Sequence, residues 1–409
     1  MALVVLKFGG TSVGTPERIH AVADRITRAR QAGDRLVVVV SAMGDTTDDL
    51  IELAHKVSKA PPHREMDMLL TVGERISMAL LSMALSDRGV QALSLTGSQS
   101  GIITDGSHRR ARIHRILGDR VRAALDAGQV AIVAGFQGVS EKKEITTLGR
   151  GGSDTTAVAL AAALGAERCD IFTDVDGVFS ADPRKVKGAR HWPRLPADLM
   201  VELAVRGAGV LHPRSVELAA QAGVKLRVLN SLKAVDSEDS RNGTEVEVMT
   251  GARSGMEEFS VVGVTADSTK ARVSVKLARP GIVGAIWDRA ADLHLLVLAP
   301  VFSENRVTFF AEKDAEGDWK AVLQDLGKDG FLEEFKIDDS LVPVSVVGHR
   351  FSQDGAALGE ILSVLAKNHV LVTEGHATSL AVTLTVAASR AADAVQCLHD
   401  HFFGNAKKQ

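Results

Sequence analysis

The chain has 409 residues, too many for one ordinary hydrophobic core, so two or three domains are expected. Its 45% hydrophobic and 24% charged residues are the balance of a soluble globular protein, and the formal net charge of -3 excludes the basic surface typical of nucleic-acid binding. The amino terminus lacks a signal-peptide pattern, and no run approaches about 18 uninterrupted apolar residues, so we expect no membrane span. Cys169 and Cys397 are the only cysteines, and we interpret them as buried thiols in a reducing cytoplasm.

Residues 1–230 alternate strand and helix patterns. Short apolar runs predict strands at 3–7, 36–40, 90–95, 130–134, 169–173 and 225–229. Helical spacing predicts a helix that begins after Thr15-Pro16 and further helices at 65–87, 111–127, 155–164 and 215–222. This alternation indicates an α/β domain with a mainly parallel central sheet covered by helices on both faces.

The pattern changes near residue 250, where the polar and glycine-rich stretch 250–255 predicts a linker. Beyond it, 272–297 and 344–372 each read as strand, turn, helix and strand, with a further strand at 306–311 and at 380–386. The turns are predicted at 279–281 and 353–355, and a helix at 391–401 closes the second copy. Two small β-α-β-β-type units are the simplest explanation. We therefore divide the chain into a first domain at 1–248, a linker at 249–258, and two repeated units at 259–340 and 341–409.

The first candidate motif, residues 7–12, lies where the first strand ends and a helix is about to begin. Glycines there let backbone N–H groups approach a phosphate, and Lys7 can neutralise its charge. The spacing is not that of a Walker P-loop, because Gly14 is followed by Thr15 rather than by lysine. The alternative is a tight turn with a solvated lysine.

The second candidate motif, residues 147–156, holds three glycines, Arg150 and small polar residues before an alanine-rich helix. Ser153 or Asp154 could cap that helix, whose free N–H groups and dipole would then favour an anion. Arg150 offers a bidentate grip on a carboxylate or a phosphate. The alternative is an ordinary flexible loop before a helix.

Three smaller groups of polar residues could also bind a ligand. Thr173, Asp174 and Asp176 follow a buried strand and could organise Mg²⁺ or a ribose, or they could form an Asp-Gly turn in a solvated loop. Glu74, within a long helix pattern, could bind an amino group or lie on the surface. Ser41 and Thr47 bracket a turn and could donate hydrogen bonds to a substrate or cap the turn. No cysteine and histidine cluster has zinc spacing, so no protein-bound metal is predicted.

Taken together, these motifs closely resemble the aspartokinase family over residues 1–248. The matching segments, in order, are KFGGTSVG, SAMGDTTD, REMDMLLTVGERIS, GFQGV, TTLGRGGSDTTA and TDVDGVFSADPR. The tail more loosely resembles the paired ACT domains of the same family. The resemblance implies an amino-acid kinase fold followed by two ferredoxin-like ACT units. It also implies ATP-dependent phosphorylation of the side-chain carboxylate of L-aspartate with Mg²⁺, a cytoplasmic enzyme of lysine, threonine and methionine biosynthesis, and a homodimer formed through the ACT units.

The resemblance also implies residue roles. Lys7 and the Gly9-Gly10 turn, with Ser12, hold the phosphates, and Asp154 organises the active site. The implied aspartate-binding residues are Ser41, Thr47, Glu74, Arg150 and Ser153, with Arg150 on a carboxylate and Glu74 on the ammonium group. The implied residues of the ATP pocket are Thr173, Asp174, Phe179, Asp182 and Arg184.

The sequence departs from the family pattern in both halves. Gly209 stands where the family usually has a lysine that neutralises the transferring phosphoryl group, and our hypothesis is that Arg206 supplies the replacement charge. Polar positions of the ACT units have become apolar at Ala278, 293–296 and 380–381, which predicts weak or altered feedback inhibition. These departures keep two alternatives open: a divergent paralogue acting on another amino acid or related acid, and a catalytically silent regulatory subunit.

Overall fold

The computed structural model describes residues 2–233, 243–247, 260–279, 281–351 and 355–404. The predicted linker at 249–258 and parts of the predicted turns at 279–281 and 353–355 lie outside the described residues. The chain forms two compact units. The first unit comprises Met1–Val178, Trp192–Ala197 and Val210–Thr250, and the second comprises Phe179–His191, Asp198–Gly209 and Gly251–Gln409.

Strands and helices alternate up to residue 247. The strands are β1 (Leu3–Phe8), β2 (Arg35–Val40), β3 (Ala92–Leu95), β4 (Ile102–Thr104), β5 (Ile113–Ile116), β6 (Val130–Ala134), β7 (Gln137–Ser140), β8 (Ile145–Thr147), β9 (Arg168–Thr173), β10 (Val178–Phe179), β11 (His191–Trp192), β12 (Arg194–Pro196), β13 (Lys225–Asn230) and β14 (Gly243–Glu247). The helices are α1 (Pro16–Gln31), α2 (Thr46–Val57), α3 (His63–Leu70), α4 (Val72–Ser86), α5 (Asp119–Asp126), α6 (Gly152–Leu164), α7 (Ala197–Val205) and α8 (Pro213–Ala222).

The first unit is built on an eight-stranded sheet with the strand order β12-β14-β13-β9-β1-β2-β6-β3. The pairs β9–β13, β1–β9, β1–β2, β2–β6 and β3–β6 are all parallel, and β13–β14 is antiparallel. The predicted α/β fold with a mainly parallel sheet is therefore confirmed. Phe8 pairs with both Val40 and Phe172, so the carboxyl ends of β1, β2 and β9 lie side by side at one edge.

Burial explains why the central strands read as continuous apolar runs. Residues 36–40 of β2 and 130–134 of β6 are fully buried, as expected where helices cover both faces of a parallel sheet. The Phe8 and Phe172 rings stack 4.7 Å apart at the centre of this core. Cys169 is buried as predicted, whereas Cys397 is only half-buried.

Two predicted helices differ from the structure. The first half of the predicted helix at 111–127 is wrong, because it forms β5 in a small four-stranded sheet of order β5-β4-β7-β8. Gly118 at φ 72° ends the extended segment, and α5 begins only at Asp119. The predicted helix at 65–87 is divided at Thr71 into α3 and α4. Over His63–Ser86 this pair is long and apolar enough to span a membrane, but half of its most apolar window is buried inside the protein, as in a core helix.

The second unit contains two further four-stranded sheets. Its elements are β15 (Ser260–Ala266), β16 (Lys270–Leu277), α9 (Gly284–Asp292), β17 (Leu298–Phe302), β18 (Arg306–Glu312), α10 (Glu316–Lys328), β19 (Leu332–Asp338), β20 (Leu341–His349), α11 (Gly355–Lys367), β21 (Glu374–Ala377), β22 (Ala381–Ala387) and α12 (Ala391–Phe403). The sheets have the orders β17-β18-β16-β19 and β15-β20-β22-β21. Two small sheets with helices agree with the predicted pair of ACT-like units.

The strand pairing divides these sheets differently from the predicted boundary at residue 340. β15 lies in the predicted first ACT-like unit, yet it pairs antiparallel with β20 and completes the second sheet. The difference arises because hydrogen bonding between strands does not follow sequence adjacency. Two segments that precede residue 248, Phe179–His191 and Asp198–Gly209, also belong to the second unit rather than to the first.

Candidate active site

Lys7, near the end of β1, lies under the glycine turn that follows this strand. The Lys7 Nζ lies 2.6 Å from Asp154 Oδ1, and both side chains are only 11% exposed. A Cβ on Gly9 would lie 3.5 Å from Lys7 Nζ. A Cβ on Gly10 would lie 3.1 Å from the carbonyl oxygen of Ala42, so this turn packs directly on the loop after β2. The result is a buried cation beneath a backbone surface with no side chains, which fits a phosphate group.

The loop after β2 joins this glycine turn to the start of α4. The N–H of Ser41 donates to the carbonyl oxygen of Phe8 at 3.1 Å, and Ser77 Oγ donates to the carbonyl oxygen of Ser41 at 2.6 Å. The N–H of Ala42 donates to Glu74 Oε1 at 3.3 Å. Thr47 is half-exposed in the first turn of α2. Ser41 and Glu74 therefore lie beside the phosphate-type loop.

Glu74 is 3% exposed, and burial raises the pKa of its carboxyl group to about 7, against smaller effects of its backbone hydrogen bonds. Among the described residues, its second oxygen, Oε2, is buried and has no hydrogen-bond donor. An unsatisfied buried carboxylate oxygen is costly, and a bound ammonium group would satisfy it. The Oε2 atom of Glu74 can therefore accept a hydrogen bond from a cationic group.

The start of α6 supplies the third side of the site. Gly151, at φ 67°, occupies the N-cap position, so the prediction that Ser153 or Asp154 caps this helix is wrong. Both residues lie instead within the first turn, where Asp154 faces Lys7 and its charge suits the helix dipole. A Cβ on Gly135, directly after β6, would lie 2.7 Å from Ser153 Oγ. Arg150 is exposed on the loop before the helix.

The acidic segment after β9 lies next to the end of β13. Thr173 Oγ1 donates to Asp174 Oδ1 at 3.1 Å, and Asn230 Nδ2 donates to Asp176 Oδ1 at 2.7 Å. Ser12 Oγ donates to Ser231 Oγ at 2.7 Å, and Ser231 Oγ donates to the carbonyl oxygen of Thr173 at 3.0 Å. This chain of bonds connects the glycine turn to the acidic segment, so the polar ends of β1, β9 and β13 form one continuous edge.

Four predicted residues lie in the second unit: Phe179, Asp182, Arg184 and Arg206. Arg184 Nε donates to Asp182 Oδ1 at 3.0 Å. The Arg206 guanidinium is 5% exposed and lies 2.7 Å from Glu202 Oε2. Burial lowers the pKa of Arg206, and Glu202 opposes that shift. In the structure, therefore, Arg206 is already paired with a carboxylate of its own helix.

The charged residues of the first unit that the sequence did not single out include the buried Asp67 and the half-buried Arg214. Asp67 is fully buried and accepts a hydrogen bond from Thr147 Oγ1 at 2.6 Å. Arg214 donates to the carbonyl oxygen of Leu148 at 2.7 Å. In the sequence, Asp67 could have been noticed as the charged residue of the otherwise apolar segment Met66–Leu70. A charged residue is rarely buried unless it is paired, so its position indicated a buried hydrogen-bond partner.

The described residues contain no group of three or more histidine, cysteine or acidic side chains arranged to hold a metal ion. Mg²⁺ is usually bound by one or two carboxylates together with substrate phosphates rather than by a protein cage. The isolated carboxylate of Asp174 beside the phosphate-type loop fits that mode of binding.

One family model and several known proteins match this chain over most of its length. The sequence model of the Amino acid kinase family matches residues 2–230. The aspartokinase of Bacillus sp. (strain MGA3) is 41% identical over 410 residues, which cover 98% of this chain and 97% of that protein. Aspartokinase 2 of Bacillus subtilis is 40% identical over 409 residues, which cover 98% of each protein.

Two solved structures are similar over nearly the whole chain. E. coli aspartokinase III in complex with aspartate and ADP, in its R state, has a TM-score of 0.83 and covers 98% of this chain and 100% of that chain. At 24% identity, this likeness shows the fold. The aspartate kinase from Synechocystis is 38% identical, has a TM-score of 0.55, and covers 98% of this chain and 69% of that chain.

Proposed function

Because the chain belongs to the amino acid kinase family and, within it, to the aspartokinases, we propose that it transfers the γ-phosphoryl group of ATP to the side-chain carboxylate of L-aspartate. The product is 4-phospho-L-aspartate, from which lysine, threonine and methionine are made. The observation that carries this proposal is the shared edge of the sheet, where the Lys7–Asp154 ion pair, the Gly9-Gly10 turn and the unsatisfied Glu74 oxygen meet. A cation for phosphates and an anion for an ammonium group are thus combined in one unit.

The reaction asks the protein mainly for positioning and charge neutralisation. The aspartate carboxylate is ionised at neutral pH and attacks phosphorus directly, so no general base is needed. Lys7 would neutralise the transferring phosphoryl group, and Asp154 would keep the Lys7 ammonium aimed at it. The backbone of Gly9 and Gly10 would support the phosphates, with Ser12 holding the turn in place.

On the acceptor side, Glu74 would bind the aspartate ammonium group, and Arg150 would bind a carboxylate in bidentate fashion. Ser41, Thr47 and Ser153 would donate hydrogen bonds that fix the acceptor oxygen in line with the phosphorus. The narrow gap between Gly135 and Ser153 supports this role, because it leaves Ser153 Oγ little freedom to move.

On the nucleotide side, the residues we assign to ATP are Thr173, Asp174, Phe179, Asp182 and Arg184. Asp174, with the nucleotide phosphates, would hold Mg²⁺, which supplies charge neutralisation of the triphosphate when bound. The hydrogen bond from Thr173 fixes one oxygen of Asp174 and so leaves the other for this purpose.

Arg206 remains our candidate for the charge that Gly209 does not provide. To neutralise the phosphoryl group, the Arg206 guanidinium must leave the Glu202 carboxylate and bind a phosphate oxygen instead. The substitutions Arg206→Ala and Glu202→Gln test this role. Loss of turnover in Arg206→Ala with retention in Glu202→Gln supports the role. Full activity in Arg206→Ala rejects it.

The proposed reaction is tested by ADP formation with Mg²⁺-ATP across a panel of amino acids, with hydroxylamine added to trap acyl phosphate as a hydroxamate. Aspartate-dependent ADP and hydroxamate formation are expected. Turnover with a different acid would instead identify a paralogue, and no turnover with any acid would identify a silent regulatory subunit.

We further propose that the enzyme is cytoplasmic and forms a homodimer through its ACT-like sheets. The apolar residues Leu293, Leu295, Leu296, Leu380 and Ala381 support weak or altered feedback by lysine or threonine, because they offer no side-chain polar groups to an amino-acid effector. Sedimentation analysis tests the dimer. Strong inhibition by either amino acid at ordinary concentrations would contradict weak feedback.

A further inference from the structure

Asp67 is a buried charge with no part in the reaction as described. Its side chain is fully buried in α3. Removing a carboxylate from water costs several kcal/mol unless hydrogen bonds replace the lost solvation. Such a group is retained where it holds other parts of the structure in place, so its partners indicate what it does.

Those partners come from two distant segments of the chain. Thr147 Oγ1 donates to Asp67 Oδ1 at 2.6 Å. The N–H of Arg109 lies 3.1 Å from Oδ1 and 3.2 Å from Oδ2, and His108 Nδ1 lies 2.7 Å from Oδ2. One carboxylate therefore joins the end of β8 to the turn at 108–109.

The turn at 108–109 in turn supports the loop that carries Arg150. Arg109 has φ 68°, a conformation that a residue other than glycine adopts only when its surroundings enforce it. Its carbonyl oxygen would lie 2.8 Å from a Cβ on Gly149, which itself has φ 77°. The N–H of Ala111 donates to the carbonyl oxygen of Thr147 at 2.9 Å. The turn and the loop are thus in contact without an intervening side chain.

A second charged residue fixes the same loop from α8. Arg214 donates to the carbonyl oxygen of Leu148 at 2.7 Å and to that of Ala111 at 3.2 Å. Thr147 and Leu148 are therefore both held before the chain reaches Gly149 and Arg150. A change in this support therefore acts first on Gly149 and Arg150, which follow Leu148 directly in the chain.

We propose that Asp67 is a positioning residue: through Thr147 it sets the place of the Arg150 loop and thereby the affinity for the carboxylate of the acceptor. This inference rests on the proposed kinase function and deepens it. It predicts that a defect at this hydrogen bond raises KM for aspartate and leaves KM for ATP unchanged, because the hydrogen bonds described for Asp67 reach residues 108–109 and Thr147 and not the glycine turn after β1.

The test removes the hydroxyl of Thr147 and compares it with its neighbour. Thr146 is buried in the same strand and shares a 2.6 Å hydrogen bond with Thr104 Oγ1 rather than with Asp67. Thr146→Val is therefore a matched control for Thr147→Val, since each loses one buried hydroxyl bond. Thr147→Ser keeps the hydroxyl, and Asp67→Asn removes the charge.

We expect Thr147→Val to raise KM for aspartate about tenfold, with KM for ATP unchanged, and Thr147→Ser to restore the original value. Asp67→Asn should raise KM for aspartate at least as much, and Thr146→Val should leave it unchanged. Equal effects of Thr146→Val and Thr147→Val on KM for aspartate would overturn the proposal, as would no effect of Thr147→Val.

Backbone hydrogen exchange over 148–151 gives a second readout that does not depend on activity. Exchange should be faster in Thr147→Val than in the parent chain and unchanged in Thr146→Val; unchanged exchange in Thr147→Val contradicts the proposal. A parent chain that shows no aspartate-dependent turnover would refute the proposed function instead, and the exchange comparison would still decide the role of Asp67.

Discussion

The carboxyl group of Glu74 couples folding stability to protonation. The pKa of its carboxyl group is about 7 in the folded protein and near its usual 4.5 in the unfolded chain. Between about pH 4.5 and pH 7, Glu74 is therefore ionised in the unfolded chain but still protonated in the folded protein. Glu74 therefore makes its full contribution to the free energy of unfolding below about pH 4.5. This contribution is lost as the pH rises through 7, by up to about 3 kcal/mol.

Glu74→Gln cannot ionise, so it should escape this loss. Measured by thermal unfolding, the Tm of the variant should rise relative to that of the parent chain between pH 5 and pH 8. Its KM for aspartate should be raised most at pH 8, since the amide has no charge to pair with an ammonium group, and the difference should shrink toward pH 5, where Glu74 of the parent chain is also uncharged. A Tm difference that stays constant with pH would contradict the burial of this charge.

Lys7 is the residue on which phosphoryl transfer should depend most directly. Lys7→Met retains the length of the side chain but removes the charge and leaves Asp154 unpaired. Turnover should fall by a factor of about 10² to 10³, the usual cost of losing a preorganised charge at a reacting centre. Lys56→Met, which removes an exposed lysine paired with Glu52, is the control and should change nothing. Initial-rate kinetics decide between them.

At the scale of elements, the geometry of α6 depends on how closely the chain approaches at its first turn. Gly151 and Gly165 flank this helix with φ 67° and φ 66°. A Cβ on Gly151 would meet the His212 ring at 2.1 Å, whereas a Cβ on Gly165 would meet nothing within 4 Å. The two glycines have the same left-handed backbone conformation and differ only in the space available for an added Cβ atom.

Gly165→Ala should therefore cost about 1–2 kcal/mol, the left-handed penalty alone, and keep activity. Gly151→Ala should cost clearly more and lose most of its turnover, because the start of α6 carries Ser153 and Asp154. Chemical unfolding and initial rates measure both effects. Equal stability and activity in the two variants would show that the contact with His212 is not rigid.

The elements also show what the sequence could predict. The buried strands β1, β2, β6 and β9 follow from their continuous apolar runs, and their parallel order predicts that Lys7, Ser41 and the 173–176 segment share one edge. Helix α2 was not predicted, although Leu50, Ala54 and Val57 recur at helical spacing; none of its residues is buried. Asp67 could not be assigned, because its partners lie 41 and 80 residues away in sequence.

At the scale of the whole molecule, the second unit joins the Phe179–His191 segment to the carboxyl-terminal helix α12. The buried His399 Nε2 lies 2.9 Å from Ser180 Oγ, and its ring stacks 4.8 Å from that of Phe403. Burial lowers the pKa of His399, against a smaller opposing effect of Asp400. Below about pH 6.5, His399 is thus protonated more readily in the unfolded chain than in the folded protein. The free energy of unfolding therefore falls as the pH drops through that range.

His399→Phe preserves the ring and removes both the hydrogen bond and the titration. Its Tm should be lower than that of the parent chain at pH 8, and the difference should shrink toward pH 5. His401→Phe alters an exposed histidine of the same helix and serves as the control. Faster proteolysis within 179–191 in His399→Phe, but not in His401→Phe, would confirm that this bond secures the segment.

The antiparallel pairing of β15 with β20 has a consequence for how this chain could be shortened. Ala266 pairs with Val344, and the N–H of Asp267 donates to the carbonyl oxygen of Pro343 at 3.1 Å. Strands β16 to β19, which lie between them in the chain, form a separate sheet whose core surrounds the fully buried Trp319. The intervening stretch is thus an insert whose two ends are neighbours. A reverse turn of about two residues could bridge them and leave the β15–β20 ladder intact, so that β15 and β20 would form a simple hairpin.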